Sequence, residues 1–340
     1  MAGSHDRDAE KSGDVDTVAT LIRAAGRRAE PPMESYERVL GAATATWRAK
    51  VRRRSQWRIL VAIAASLLLV ISSALLIHDG PQAPQQMLGT TDRVIGTVEM
   101  QTNATESWIT LRDEKHDVPA GSRIRTLKGS RVGLILGNGI SVRLADATDI
   151  ALESGRRLRV LSGRMYLDTG KSDDRGVVQR IEVITPVGVA SDLGTQFEVL
   201  YRDDMYRLRV REGQVRLRRK SDEIDSAEGE QLIIDASGTI ERARIPAEDP
   251  EWQWVEFVAP APSIDDQPVT VLLAWVSRET GRSVRFDTPE VERRAARTVL
   301  HGNIRHLAPL EALSTMLATT DLEHVLLEDG TILIRQRTMR

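Results

Sequence analysis

The chain of 340 residues carries 47 Lys and Arg against 49 Asp and Glu, a formal net charge of −2, with aromatic residues at 4% and no cysteine. Without cysteine the chain has no disulfides, thiol catalysis or thiolate metal sites, and its near-neutrality argues against a general nucleic-acid footprint. This length allows two or three compact units, with cores built from Val, Ile and Leu.

The first residues, Met1 to Asp14, are polar and mixed in charge, as a loose start of a chain is. From there Val18, Leu21, Ile22 and Ala25 fall on one helical face, with Asp16 or Thr17 as cap,. Gly26 ends that helix and Pro31-Pro32 forbids its continuation,. A second helix is expected from Met33 through Tyr36, Val39, Leu40, Ala43 and Trp47. Two such helices hold too few apolar residues to make a core alone. They read as a segment that orders on a partner, the competing reading being a plain membrane-proximal tail.

Residues 59–77 (ILVAIAASLLLVISSALLI) contain no charge, Pro or Gly. As a helix from Ile59 through Leu68 to Ile77 the run is about 28 Å long, close to the ~30 Å hydrocarbon core of a bilayer. Arg52, Arg53 and Arg54 precede it, and His78, Asp79, Gly80 and Pro81 follow. An excess of Arg and Lys marks the side that stays in the cytoplasm. A buried core helix fits poorly with apolarity all round joined to a basic cluster at one end, and a cleaved signal peptide fits poorly with so long an N-terminal region,. The expected organisation is a cytoplasmic helical segment over 1–57, a transmembrane helix over 58–78 and a Pro/Gln/Gly linker over 79–92.

Beyond the linker the apolar period changes to two. Val132 to Leu136 and Ile140 to Leu144 flank Asn138-Gly139, the clearest hairpin,. Further short runs, such as Leu158 to Leu161, Thr195 to Tyr201 and Tyr206 to Val210, are separated by turn residues every 8–12 positions or so,. The fold class expected is mainly β: a multi-stranded all-β exported domain over 93–246, sandwich or solenoid-like. Residues 247–262 are a Pro/Trp-rich joint carrying Trp252, Trp254 and Phe257, read as an apolar seam between modules or, alternatively, a partner patch. Residues 263–340 read as a small α+β module, with a helix through Leu272, Trp275 and Val276 that stops at Gly281, a second helix after Pro309, and a hairpin at Glu328-Asp329-Gly330,.

Little in the chain points to enzyme chemistry. His5, His78, His116, His301, His306 and His324 do not pair at metal-ligand spacing,. Asp173-Asp174, Asp203-Asp204 and Asp265-Asp266 lie in expected turns, and no G-x-S-x-G elbow, GxGxxG or P-loop is present,. Arg156-Arg157 and Arg216 to Lys220 read as exposed strand faces. No catalytic, cofactor-binding or metal residue is therefore assigned, and no direct nucleic-acid contact. In the stretch around Asp192, the residues Gly188, Asp192, Gly194 and Thr195 read as a turn between strands, with Asp192 capping backbone amides. A second reading is self-cleavage between Gly194 and Thr195, the Thr hydroxyl attacking the preceding carbonyl.

The run Ile184-Thr-Pro-Val-Gly-Val-Ala-Ser-Asp-Leu-Gly-Thr-Gln-Phe-Glu-Val199 resembles the signature of the FecR family of membrane-anchored anti-sigma factors and sigma regulators. The matching positions are Thr185, Pro186, Gly188, Asp192, Leu193, Gly194, Thr195 and Phe197. Ala120 to Thr126, Gly137 to Leu144 and Val210 to Val215 are similar to the family's strand-turn units. Leu273 to Gly281, Leu300 to Ile304 and Pro309 to Leu313 resemble the STN-like module that closes such proteins. The N-terminal region departs from the family's Trp-rich helical pattern, with Trp47 and Trp57 its only tryptophans. The resemblance implies a single-pass protein of a bacterial inner membrane, N-terminus cytoplasmic and C-terminal domains periplasmic. Its implied partners are an ECF sigma factor inside and a TonB-dependent receptor or other envelope protein outside, with no cofactor. An envelope scaffold that uses the same module without transcriptional output is the alternative.

Overall fold

The computed structural model describes residues 18–26, 32–34, 37, 39, 41, 86–103, 106–113, 115–170, 180–192 and 194–337. The chain divides into a unit over Met1–Ala83 and a unit over Pro84–Arg340. In the first, residues 18–24 are helical, and Ala25 N donates to Leu21 O at 3.0 Å. Val18, Leu21 and Ile22 are exposed there. The apolar stretch with Ile59, Leu68 and Ile77, and the flanking Arg52, Arg53 and Arg54, lie outside the described residues. Among the described residues no helix is long and apolar enough to cross a membrane.

The second unit opens, among the described residues, with seventeen strands in one continuous hydrogen-bonded system. They are β1 (Met87–Ile95), β2 (Val98–Gln101), β3 (Ile109–Leu111), β4 (Asp117–Pro119), β5 (Arg123–Thr126) and β6 (Arg131–Leu136). Next come β7 (Ser141–Leu144), β8 (Asp149–Ser154), β9 (Arg157–Asp168), β10 (Glu182–Ile184), β11 (Val189–Asp192) and β12 (Gln196–Arg202). The last are β13 (Met205–Glu212), β14 (Gln214–Arg218), β15 (Glu223–Ala227), β16 (Glu230–Ile234) and β17 (Ile240–Arg244).

These strands form two rows. One runs β4-β1-β6-β7-β9-β12-β13-β16-β17. The other runs β3-β2-β5-β8-β9-β10-β11-β14-β15. The long β9 belongs to both, pairing with β8 and β10 through its first half and with β7 and β12 through its second. These pairings are antiparallel except β9 with β10, where Arg157 sits opposite Glu182. Alternation sends one side chain in two between the rows. Val142, Met165, Leu167, Phe197, Val199, Leu208 and Val210 are fully buried there and join one apolar cluster spanning both rows,. The mainly β expectation is met, and the arrangement is two packed rows that trade strands.

The rest of the unit is α+β. A 3-10 turn at Pro250–Trp252 runs into the short helix α1 (Gln253–Glu256), and α2 (Val269–Thr280), α3 (Pro289–Ala295) and α4 (Pro309–Leu317) follow. The strands β18 (Gln267–Pro268) and β20 (Val299–Leu300) pair with each other. β19 (Val284–Phe286) lies parallel to β22 (Ile332–Gln336), which pairs antiparallel with β21 (Leu322–Leu326). α2 and α4 bury Leu272, Val276, Leu313 and Leu317 with Ile332 and Ile334 in a second core. α2 ends at Gly281, whose φ of 69° is left-handed and whose N–H returns to Ser277 O,. A Cβ there would stand 2.3 Å from Ala247 O, so only Gly allows the stop and the close approach together,.

Candidate functional site

Two features meet where the chain passes from β11 of the second row to β12 of the first. The first is the family-like turn. Asp192 closes β11 with its carboxylate buried, taking Ile181 N at 2.7 Å on one oxygen, and Gly194 N and the Thr195 hydroxyl at 3.3 Å each on the other. Gly194 has φ +85°, as the turn reading requires. Thr195 N donates to the Thr169 hydroxyl at 2.8 Å, and that hydroxyl donates to Thr195 O at 3.1 Å. Upstream, Thr185 and Gly188 close the β10–β11 turn, Thr185 N reaching Gly188 O at 2.9 Å, while Pro186 is exposed. Phe197 is fully buried between the rows. Leu193 lies outside the described residues.

The second feature starts one residue beyond Thr195. Because β12 alternates, Gln196 and Glu198 point away from Phe197 and Val199, out of the sandwich. Their neighbours on β7, β9 and β13 do the same, and most are charged. This outward face is covered by residues 247–256 and by α2. Arg143 makes a bidentate pair with Glu279, at 2.6 and 2.9 Å, with the two side chains 0% and 3% exposed. Arg143 also donates to Val255 O at 3.2 Å and lies over the Tyr166 ring. Arg278 grips Asp168 with two nitrogens, one at 2.9 Å, and reaches Glu212 at 3.3 Å. Gln196 donates to Asp168 at 2.9 Å. The turn and the seam are therefore contiguous.

Next to these, Arg211 donates to Ala247 O and to Glu279 O, both at 2.8 Å. The second acceptor lies in the last turn of α2, where helical bonding leaves carbonyls open. Arg209 pairs with Asp249 at 2.9 Å, and Arg207 with Glu251 at 2.9 Å and Glu198 at 3.0 Å. Trp252 packs beneath Arg209 and edge-on to Tyr166, while Trp254 sits under Arg164 and donates its indole N–H to Glu198 at 2.9 Å. On the neighbouring β6, Gly133 lets the chain approach: a Cβ there would meet Val258 O at 2.6 Å. The tryptophans form the apolar seam expected of them, with Trp252, Trp254 and Val255 clustering against Ala145 and Tyr166. Over that cluster lies a layer sequence reasoning did not foresee, of guanidiniums stacked on indoles and tied to carboxylates,. Phe257 stays 45% exposed, with Arg131 over its ring.

Burial acts on the titration of this layer in both directions. Desolvation alone would raise Asp168, but the hydrogen bonds and charge of Arg278 overturn it and hold the carboxyl below its ordinary value,. At Glu256 the balance falls the other way. Burial pushes it up to about 7, against the opposing pull of Arg211 and Arg282,. Among the described residues no group of His, Cys, Asp and Glu could hold a metal ion.

Sequence reasoning placed the Asp192 turn but missed the charged layer beside it. The missed residues are Arg278, which holds Asp168, and Glu279, which holds Arg143, together with Arg164, Arg207, Arg209 and Arg211 on the same face. The signal available was the alternation itself, which marks these positions as one face of each strand and reads them as solvent-facing.

Residues 122–216 match the family model described as FecR protein, so the chain carries a FecR domain, and the FecR resemblance read from the sequence stands. No curated protein matches the chain. Two crystal structures of a candidate anti-sigma factor from Parabacteroides distasonis ATCC 8503 are similar, each at 16% identity and a TM-score of 0.35, covering 64% of this chain and 99% of that one.

Proposed function

We propose that the chain is a single-pass regulator of a sigma factor, anchored in the bacterial inner membrane, with residues 1–57 in the cytoplasm and the FecR domain and the STN-like module over 263–340 in the periplasm. The observation that carries this reading is a FecR domain at 122–216 downstream of an uncharged apolar run at 59–77 with arginines on one flank only,. The exposed Val18, Leu21 and Ile22 give the N-terminal segment an apolar face for a partner,. In this reading an envelope protein such as a TonB-dependent receptor engages the periplasmic part, and the cytoplasmic segment holds or presents an ECF sigma factor. Co-purification of the full chain with each ECF sigma factor of the same cell tests it. Capture of one, lost in a Leu21→Asp, Ile22→Asp variant, is the expected result. Failure with all of them leaves the envelope-scaffold alternative.

A second reading concerns the Gly194–Thr195 bond, and the contact that favours it is Asp192 at 3.3 Å from the Thr195 hydroxyl. The carboxylate takes the hydroxyl proton as the oxygen attacks the Gly194 carbonyl carbon. The C–N bond breaks as the Thr195 nitrogen takes up a proton, leaving an ester. Water then releases a Gly194 carboxylate and a Thr195 with free amine and hydroxyl. Wild type should run as two fragments, the second beginning at Thr195 by mass spectrometry, and Thr195→Ala as one. A wild type that always runs whole rules this out.

A further inference from the structure

The outward face of β7, β9 and β13 presents Arg143, Arg164, Arg207, Arg209 and Arg211, offset on the same face by Asp168 and Glu198. We propose that this face is a docking surface for an acidic, tryptophan-bearing peptide segment supplied by a partner, and that residues 249–256 are its intramolecular occupant.

Two observations and one physical argument carry the proposal. The occupant shows what the face recognises: Asp249 and Glu251 sit on Arg209 and Arg207, and the indoles of Trp252 and Trp254 lie beneath Arg209 and Arg164,. The fit is incomplete, because Arg207 Nε, Arg209 Nε and Arg211 Nη2, all buried, have no hydrogen-bond partner among the described residues. A segment with more carboxylates would satisfy donors that the chain's own segment leaves open. Finally, hydration favours parting of the charged contacts, against the apolar area that Trp252, Trp254 and Val255 bury on Ala145 and Tyr166,. An arginine-rich face is well hydrated when uncovered, and water returns to a parted ion pair most of what burial took from it. An apolar sheet face has no such option.

The test uses the full chain in detergent and a fluorescent peptide of residues 247–258 as probe, read by anisotropy. In wild type the tethered segment competes with the probe. Glu279→Gln and, independently, Trp252→Ala loosen that segment and should tighten probe binding by about tenfold or more, as the competent fraction rises. A probe with Asp249 and Glu251 as amides should bind at least about tenfold more weakly. Equal binding of the two probes overturns the proposal, as does no binding to a variant whose seam exchanges amide hydrogens faster than wild type. Loss of the β signal in circular dichroism for both variants overturns it too, since the cover would then be inseparable from the sandwich.

Discussion

The two faces of β12 and β13 differ in what buries them. Inward, Phe197, Val199, Leu208 and Val210 meet the other row, and nothing but apolar side chains will cover them. Outward, Glu198, Arg209 and Arg211 are buried almost as deeply and Arg207 partly so, yet by ion pairs and indole faces from residues 247–256 and α2. Burial of apolar area stabilises in proportion to that area. Burial of paired charges is close to neutral and mainly fixes which partner sits there and in which register. The inward face makes the domain; the outward face decides what it holds.

Substitutions that treat the two faces alike should break this comparison if it is wrong. Phe197→Ala removes a fully buried ring opposite Leu167 and Val210. It is expected to cost about 3–5 kcal/mol and to lower the melting of the whole second unit. Glu279→Gln strands Arg143 in a buried site and should cost about 3 kcal/mol, loosening α2 and residues 247–256 while β9 and β12 stay protected in hydrogen exchange,. The double change Arg143→Met, Glu279→Leu should recover most of that loss, because apolar groups of similar volume replace buried ion pairs at little cost. If the double variant melts as low as Glu279→Gln, the pair is contributing stability of its own.

The inward face was legible in the sequence because period-two alternation and turn residues identify strands without knowing their partners. Asn138-Gly139 joins β6 to β7 as expected, and Gly281 stops α2. The Asp192 turn was legible too, since Gly and Asp at those positions require a turn locally. The outward face was not. An arginine every second residue looks the same whether water or a tryptophan covers it, and Arg143 and Glu279 are 136 residues apart. Only the fold brings them together.

Glu256 offers a smaller effect with a defined sign. Its folded value of about 7 lies above the ordinary 4.5, so between those pH values the folded protein binds the proton and the unfolded chain does not,. Stability from this group is full below about pH 4.5 and is lost as pH rises through 7. Glu256→Gln should therefore match wild type near pH 4 and exceed it by roughly 1–2 kcal/mol at about pH 8, after allowance for partial solvent screening. Asp168 runs the other way: held below its ordinary value, it contributes above that value and loses its contribution as pH falls. Urea melts of wild type and Glu256→Gln across this range check the crossing.

The smallest effect tests whether geometry or burial sets the strength of an ion pair. Arg216 on β14 holds Asp225 on β15 with two nitrogens, at 2.7 and 3.0 Å, a geometry as good as that of Arg143 with Glu279. Both side chains are nearly half exposed. Water screens such a pair and competes for both groups, so its formation contributes little. Arg216→Ala should leave the melting temperature unchanged within error, and added salt should not separate it from wild type. A drop comparable to that of Glu279→Gln would mean that bidentate geometry alone suffices, and the distinction drawn between the covered and the open faces would lose its basis.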